Sequence, residues 1–272
     1  MNIHTKSKNN KLIVIVITLL IIIISLLFIA SKFNNNIKKD VVNIGSINNL
    51  SDLLKNISNN LKDYNIKIDY EENEKLYNKL INKKLDMIIT SKPTSNYYSI
   101  AVNNKVELIA SPLIDDALVF FTSKNSTINN LSFDQLKELY IKKDQRVYIS
   151  SDEYASNSLK SQVLVGYKID LKSVYSLDET VKKVIDNNDT IGYTTYYEYK
   201  KLNNKDIKLI SIDGVLPENN TIKNSTYPLK TSYYIITLKD ESKEVVGKLK
   251  NDLLSSKGQK IAREAGYVEL GK

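Results

Sequence analysis

Three short stretches of this sequence end an apolar run with small hydroxyl or amide side chains. They are Gly45-Ser46-Ile47-Asn48, Thr90-Ser91-Lys92-Pro93 and Ser150-Ser151-Asp152-Glu153. Such side chains, with the free backbone N–H groups of a helix start, donate hydrogen bonds to a phosphate-like oxyanion. Helix capping explains any one of them alone, since Ser and Thr are good N-caps; three together point to a shared polar ligand. Arg146 precedes Ser150 by four residues and is one of two arginines in a chain that otherwise uses lysine. A guanidinium there suits bidentate anion binding, and a surface strand residue is the alternative. The candidate ligand-binding set is therefore Ser46, Asn48, Thr90, Ser91, Arg146, Ser150 and Ser151. Asp152 and Glu153 run against it. Acids in a helix's first turn complement its dipole, but they repel a dianion bound at the same end.

Composition removes other chemistries. The 272 residues contain no Cys, no Trp and one His, His4, ahead of an apolar run. Thiolate metal sites, disulfides, thiol nucleophiles and a Ser-His-Asp triad are excluded or strained. No nucleophile–base pair and no metal cluster is visible, so the reading is a binding protein, not an enzyme, without cofactor or metal. The net charge is +8, but Lys6, Lys8, Lys11, Lys32, Lys38 and Lys39 stand against Asp40 alone in the first forty residues. Removing those five net charges leaves +3 for the rest, with no basic block interleaved with aromatics. A nucleic-acid partner is therefore not expected.

The elements that must position these residues alternate. Short apolar runs such as Val41–Ser46, Asn65–Tyr70 and the stretch 85–90 read as strands. Leu50, Leu53, Leu54, Ile57 and Leu61 recur at helical spacing, as do Leu76, Tyr77, Leu80 and Ile81. Separate strands are expected in 106–112 and 117–123, then in 146–150, 191–195, 207–212 and 232–238, with one last helix over about 243–265. Ser150 and Glu153 have capping-box spacing. Strands alternating with helices predict α/β layers with largely parallel sheets. Ligands of such folds sit at strand C-terminal ends.

Ahead of this lies an uncharged run from Leu12 to Ala30 whose length matches a bilayer core. Lysines precede it, and Phe28 stands where a cleaved signal wants a small residue. The expectation is an n-region over 1–11, an uncleaved transmembrane anchor over 12–30, a linker over 31–40 and an extracellular globular part. The absence of cysteine suits an exported Gram-positive protein.

The stretch 213–229, Asp-Gly-Val-Leu-Pro-Glu-Asn-Asn-Thr-Ile-Lys-Asn-Ser-Thr-Tyr-Pro-Leu, holds two of the four prolines and is long for a turn. Its order, with Ile191-Gly192-Tyr193 before it and Ser255-x-x-Gly258-Gln259 then Gly266-Tyr267-Val268-x-Leu270 after it, resembles the phosphate-type substrate-binding proteins of ABC importers. The resemblance covers 41–270 and implies a type II periplasmic-binding-protein fold. It implies lobe 1 over 41–116 plus 229–272, lobe 2 over 117–228, and two hinge crossings, one of them following Tyr227-Pro228-Leu229. It implies a monomer that closes on phosphate or a similar oxyanion and delivers it to a membrane permease. Gly45-Ser46 matches the family's first phosphate loop, with Ile47 where a hydroxyl is usual, and Asn48 could add a side chain. Thr90 and Ser91 match the second loop, with Lys92 replacing Arg. Arg146 and Ser150 match the third, but Ser151 stands for Gly and Asp152 for Thr. Ser156-Asn157-Ser158 is a competing placement of that loop. These departures leave a second reading open: a degenerate binding domain serving as a cell-surface sensor or adaptor.

Overall fold

Val42 and Ile44 are fully buried along β1 (Val41–Ser46), and Gly45 between them and the exit is packed so closely that a Cβ would meet Leu85 at 2.5 Å and Leu76 at 2.7 Å. This close approach lets one helix layer lie down on the strand. The chain then alternates through α1 (Ser51–Asn60), β2 (Asn65–Tyr70), α2 (Asn73–Ile81), β3 (Met87–Ser91) and α3 (Ser95–Asn103), and β1 runs parallel to both β2 and β3. The helices present Leu53, Leu54, Ile57, Leu76, Tyr77 and Leu80 inward, the periodic faces that the sequence marks.

The computed structural model describes residues 17–26, 40–167 and 174–271. The chain divides into two units, 1–40 and 41–272. In the first, 17–26 is an exposed helix, and the rest of the expected anchor, with the n-region and most of the linker, lies outside the described residues. No helix among the described residues is long and apolar enough to cross a membrane.

The second unit continues with β4 (Leu108–Ser123), β5 (Asn130–Leu131), α4 (Phe133–Ile141), β6 (Ile149–Ser150), α5 (Glu153–Gln162), β7 (Val174–Tyr175), α6 (Leu177–Asp186), β8 (Gly192–Thr195), α7 (Tyr196–Leu202), β9 (Ile207–Leu209) and β10 (Ser211–Ile212). It closes with α8 (Asn219–Lys223), β11 (Lys230–Leu238), α9 (Glu244–Leu254) and α10 (Ser256–Glu264). The main sheet runs β2-β1-β3-β11-β4-β8, with β9 also on β4; β5 pairs β10 and β6 pairs β7 separately.

The fold is mixed α/β, not largely parallel as the alternation suggests. β11 lies antiparallel to both β3 and β4, and β8 and β9 are antiparallel to β4. The reason is β4. The two strands expected over 106–123 are one strand, which runs past Pro112 with its first half on β11 and its second half on β8 and β9. Proline donates no N–H, and the register shifts opposite it: Tyr234 pairs with Pro112 but Tyr233 pairs with Ile114. The single helix expected over 243–265 is two, broken at Ser255, whose extended backbone (ψ 168°) ends α9 and caps α10.

Two main cores flank the β4–β11 pair. One gathers α1, α2, β1, β3, β11, α9 and α10; the other gathers the second half of β4 with α4, α5, β8 and Tyr227. α10 packs on α1 and α9.

Candidate functional site

A cleft of ≈ 670 Å³ opens where the two cores meet. From the first side it is lined by Asn73, Ser91, Lys92 and Tyr97, and from the second by Glu153, Tyr154, Asn157 and Ser158, with Lys230, Ser232 and Tyr234 of β11 between them. Lys230, Ser232 and Tyr234 share one face of β11 by strand alternation, and Thr231 reaches the cleft as well. Tyr154, a lining residue, stacks on the buried Tyr233 at 4.4 Å between ring centroids. The cleft's charges are mixed. Lys230 is held by Asp115 at 2.7 Å, while Lys92 lines one wall and Glu153 the other.

The seven candidate residues do not all reach it. Ser91 lines the cleft. Ser46 is fully buried and does not line the cleft, and its hydroxyl donates to the Ile89 carbonyl at 2.8 Å. Thr90 is buried too, and its hydroxyl donates to the Asn73 side-chain oxygen. Asn48 is exposed and is not a lining residue. The Arg146 guanidinium forms a bidentate pair with Asp144, Nε to Oδ1 at 2.9 Å and Nη2 to Oδ2 at 2.8 Å, outside the cleft lining. That pair holds the Asp144 carboxyl below its usual range. Ser150 N–H donates to the Tyr193 hydroxyl at 2.8 Å, and Ser151 N–H donates to the Tyr175 carbonyl at 2.8 Å. In the competing placement of the third loop, Asn157 and Ser158 line the cleft. Among the described residues no acidic or imidazole cluster could hold a metal.

Several contacts that the sequence does not announce bridge the two sides. Asn49 donates from Nδ2 to Asp152 Oδ2 at 2.7 Å, and the Tyr267 hydroxyl donates to the Asn49 carbonyl at 2.9 Å. On the same rim the Tyr197 hydroxyl donates to Asp52 at 2.6 Å, and Lys201 pairs with the same oxygen at 2.8 Å. Together these donors, Lys201 first, keep the Asp52 carboxyl below its usual range. Tyr197 and Tyr267 stack at 4.1 Å between ring centroids, with their planes nearly parallel. Helical spacing marks α1 but not which of two adjacent asparagines turns inward, so Asn49 carries no signal distinct from Asn48. Tyr267 belongs to the C-terminal Gly-Tyr-Val motif and was legible as a motif, not as a contact.

At the β4 crossing Asp116 is 1 % exposed. Its Oδ1 accepts from the N–H groups of Ala117 (2.9 Å) and Tyr197 (3.0 Å), while Oδ2 has no partner among the described residues. Burial pushes its pKa up to about 7, against the partial compensation of those N–H groups.

Comparison with known proteins agrees with this architecture. Among solved structures, PstS from Borrelia burgdorferi superposes with a TM-score of 0.66 at 20 % identity, over 86 % of this chain and 100 % of that one. An ABC-type phosphate transport receptor from Vibrio cholerae gives 0.68 at 16 % identity, over 85 % and 100 %. A phosphate-bound substrate-binding protein described as a putative phosphate transporter component, from Clostridium perfringens, gives 0.66 at 15 % identity, again over 85 % and 100 %. At these identities the likeness speaks for the fold. A sequence search of curated proteins matched none. A family model, described as a PBP superfamily domain, matches residues 47–255. That span is most of the chain, and the chain belongs to the PBP superfamily, with the type II periplasmic-binding-protein fold seen in PstS.

Proposed function

We propose that this chain is an extracellular solute-binding protein, not an enzyme, held at the cell membrane by its 12–30 segment. It takes phosphate or a similar oxyanion between two lobes, 41–116 with 229–272 and 117–228, and hands it as a monomer to an ABC-type permease. The observation that carries this reading is the position of the cleft. Its walls come from the exit of β3 and the start of α5, and its back is the crossing strand β11. A small twist of the β4–β11 pair would therefore change the distance between the walls. The neighbours named for phosphate supply the solute class. Titration calorimetry with inorganic phosphate and sulfate on the full chain in detergent tests it. Saturable binding to either supports the reading; no heat up to millimolar anion sinks it. Membrane retention after a high-salt wash tests the anchor, and a mature N-terminus near Ser31 would show a cleaved signal instead.

One observation favours the second reading, a cell-surface sensor or adaptor. The donors of the third exit already hydrogen-bond within the chain, as do Ser46, Thr90 and Arg146. Failure of every oxyanion to bind would leave that reading standing.

A further inference from the structure

We propose that the solute of the cleft is a zwitterion, a free amino acid or short peptide, whose carboxylate meets Lys92 on one wall and whose ammonium group meets Glu153 on the other. The inference rests on the reading of this cleft as the solute site between two lobes, and it makes the bound oxyanion a carboxylate joined to a cation. Lys92 follows β3 on the first core's side and Glu153 opens α5 on the second; both line the cleft and both are exposed. Among the described residues neither forms an ion pair, whereas Lys230, the third charged lining residue, is already met by Asp115. The cleft therefore offers a solute one open positive charge and one open negative charge, on opposite walls. The negative one is felt across the gap: burial, then the charges of Glu74 and Glu153, push the Tyr97 phenol up. An inorganic dianion would answer Lys92 and be repelled by Glu153, while a zwitterion answers both. Uncharged donors support the pairing. Thr94, the N-cap of α3 beside Lys92, makes no side-chain cap hydrogen bond, so the first N–H groups of that helix have no side-chain acceptor. On the other wall Ser158 is 7 % exposed and lines the cleft, and its hydroxyl makes no hydrogen bond among the described residues. A hydroxyl so deeply buried and left unbonded is unfavourable unless a solute reaches it. The cleft volume of ≈ 670 Å³ lies among those of organic-ligand sites, roughly 300–1,000 Å³, and Tyr97, Tyr154 and Tyr234 can cover an apolar body.

Melting of the full chain in detergent, followed by circular dichroism, is measured with inorganic phosphate, each proteinogenic amino acid, glycylglycine and trialanine at millimolar concentration. A solute that binds the folded chain raises the melting temperature, and those that do are titrated by calorimetry. The zwitterion predicts that an amino acid or peptide binds most tightly. Its N-acetyl and C-amide derivatives, which each lack one charge, should bind at least about tenfold more weakly. Lys92→Gln and Glu153→Gln should weaken it by a similar factor; both side chains are exposed and Asp152 still caps α5, so the fold is kept. The direction in Glu153→Gln separates the two solute classes, because removing that carboxylate would strengthen a plain anion. Phosphate binding more tightly than every amino acid and peptide overturns the zwitterion while the oxyanion reading survives. An amino acid or peptide whose affinity Glu153→Gln leaves unchanged or raises overturns the placement of its ammonium group, and the proposal with it. No stabilisation by any probe, phosphate included, overturns both the zwitterion and the oxyanion reading.

Discussion

Asp116 shows how one buried carboxyl ties stability to pH. Its ordinary value of 3.8 rises to about 7 in the folded chain because burial disfavours the charged form. The groups that face it are Lys200, whose own pKa burial pulls down, and Tyr154, Tyr197, Tyr233 and Tyr267. Between these two pH values the unfolded chain has released the proton and the folded chain has kept it, so stability falls as pH rises from about 4 to about 7. Asp116→Asn keeps one oxygen for the Ala117 and Tyr197 N–H groups and removes the titration. Urea unfolding across that range should show a falling contribution in the natural chain that is missing in the variant; parallel curves would refute it. Gln259 is a second case. Its Nε2 donates to the Leu113 carbonyl at 2.8 Å, and its Oε1 accepts from the Leu270 N–H at 2.9 Å. Gln259→Ala should cost about 1–3 kcal/mol by leaving those groups unpaired, read as a lowered urea midpoint without loss of secondary structure.

At the scale of elements, the bulge of β4 and the break between α9 and α10 are two parts of one joint. Pro112 interrupts the ladder, Leu113 is skipped in the pairing with β11, and its carbonyl is satisfied by α10 through Gln259. α10 can deliver Gln259 only because the chain turns sharply at Ser255. At Gly258 a Cβ would meet the Leu253 carbonyl oxygen at 2.1 Å. Gly258→Ala should therefore force the turn open and destabilise the protein by about 2 kcal/mol or more. A melting curve within 1 °C or so of the natural one would contradict this, since that much free energy shifts Tm by several degrees in a domain of this size. The sequence made the elements around the first core legible, because buried runs and helical spacing are local signals. It did not reveal that 106–123 is one strand, since proline reads locally as a breaker and its tolerance here depends on a helix over a hundred residues away. The candidate site was legible as strand exits. Which hydroxyls point into the cleft was not, because Ser46 and Thr90 find partners on neighbouring elements. Lys230, Ser232 and Tyr234 were within reach through their period of two.

For the whole molecule, the decisive feature is that both cores are built on β4, its first half with β11 in the first core and its second half in the second. A chain cut after Leu229 keeps every strand of the second core but loses β11, α9 and α10. It should not fold into a stable first half, because β3 and the first half of β4 would lose the strand between them. Circular dichroism and protease resistance of residues 1–229 check this; a protected 41–115 fragment would count against it.

β11 is an inner strand of the large sheet, yet it is encoded near the end of the chain. It pairs Tyr233 with Ser91 and Leu238 with Leu108, contacts that span more than a hundred residues. Partners so distant in sequence meet late. If the chain crosses a membrane starting from the end next to its anchor, the edges of β3 and β4 stay open until Lys230–Leu238 has passed. In that case the order of synthesis would act as a timer: the chain would stay loose enough to thread and would lock when β11 arrives. The same delay would leave two apolar strand edges bare on the far side for that interval, which is when a chaperone there would matter most to this protein.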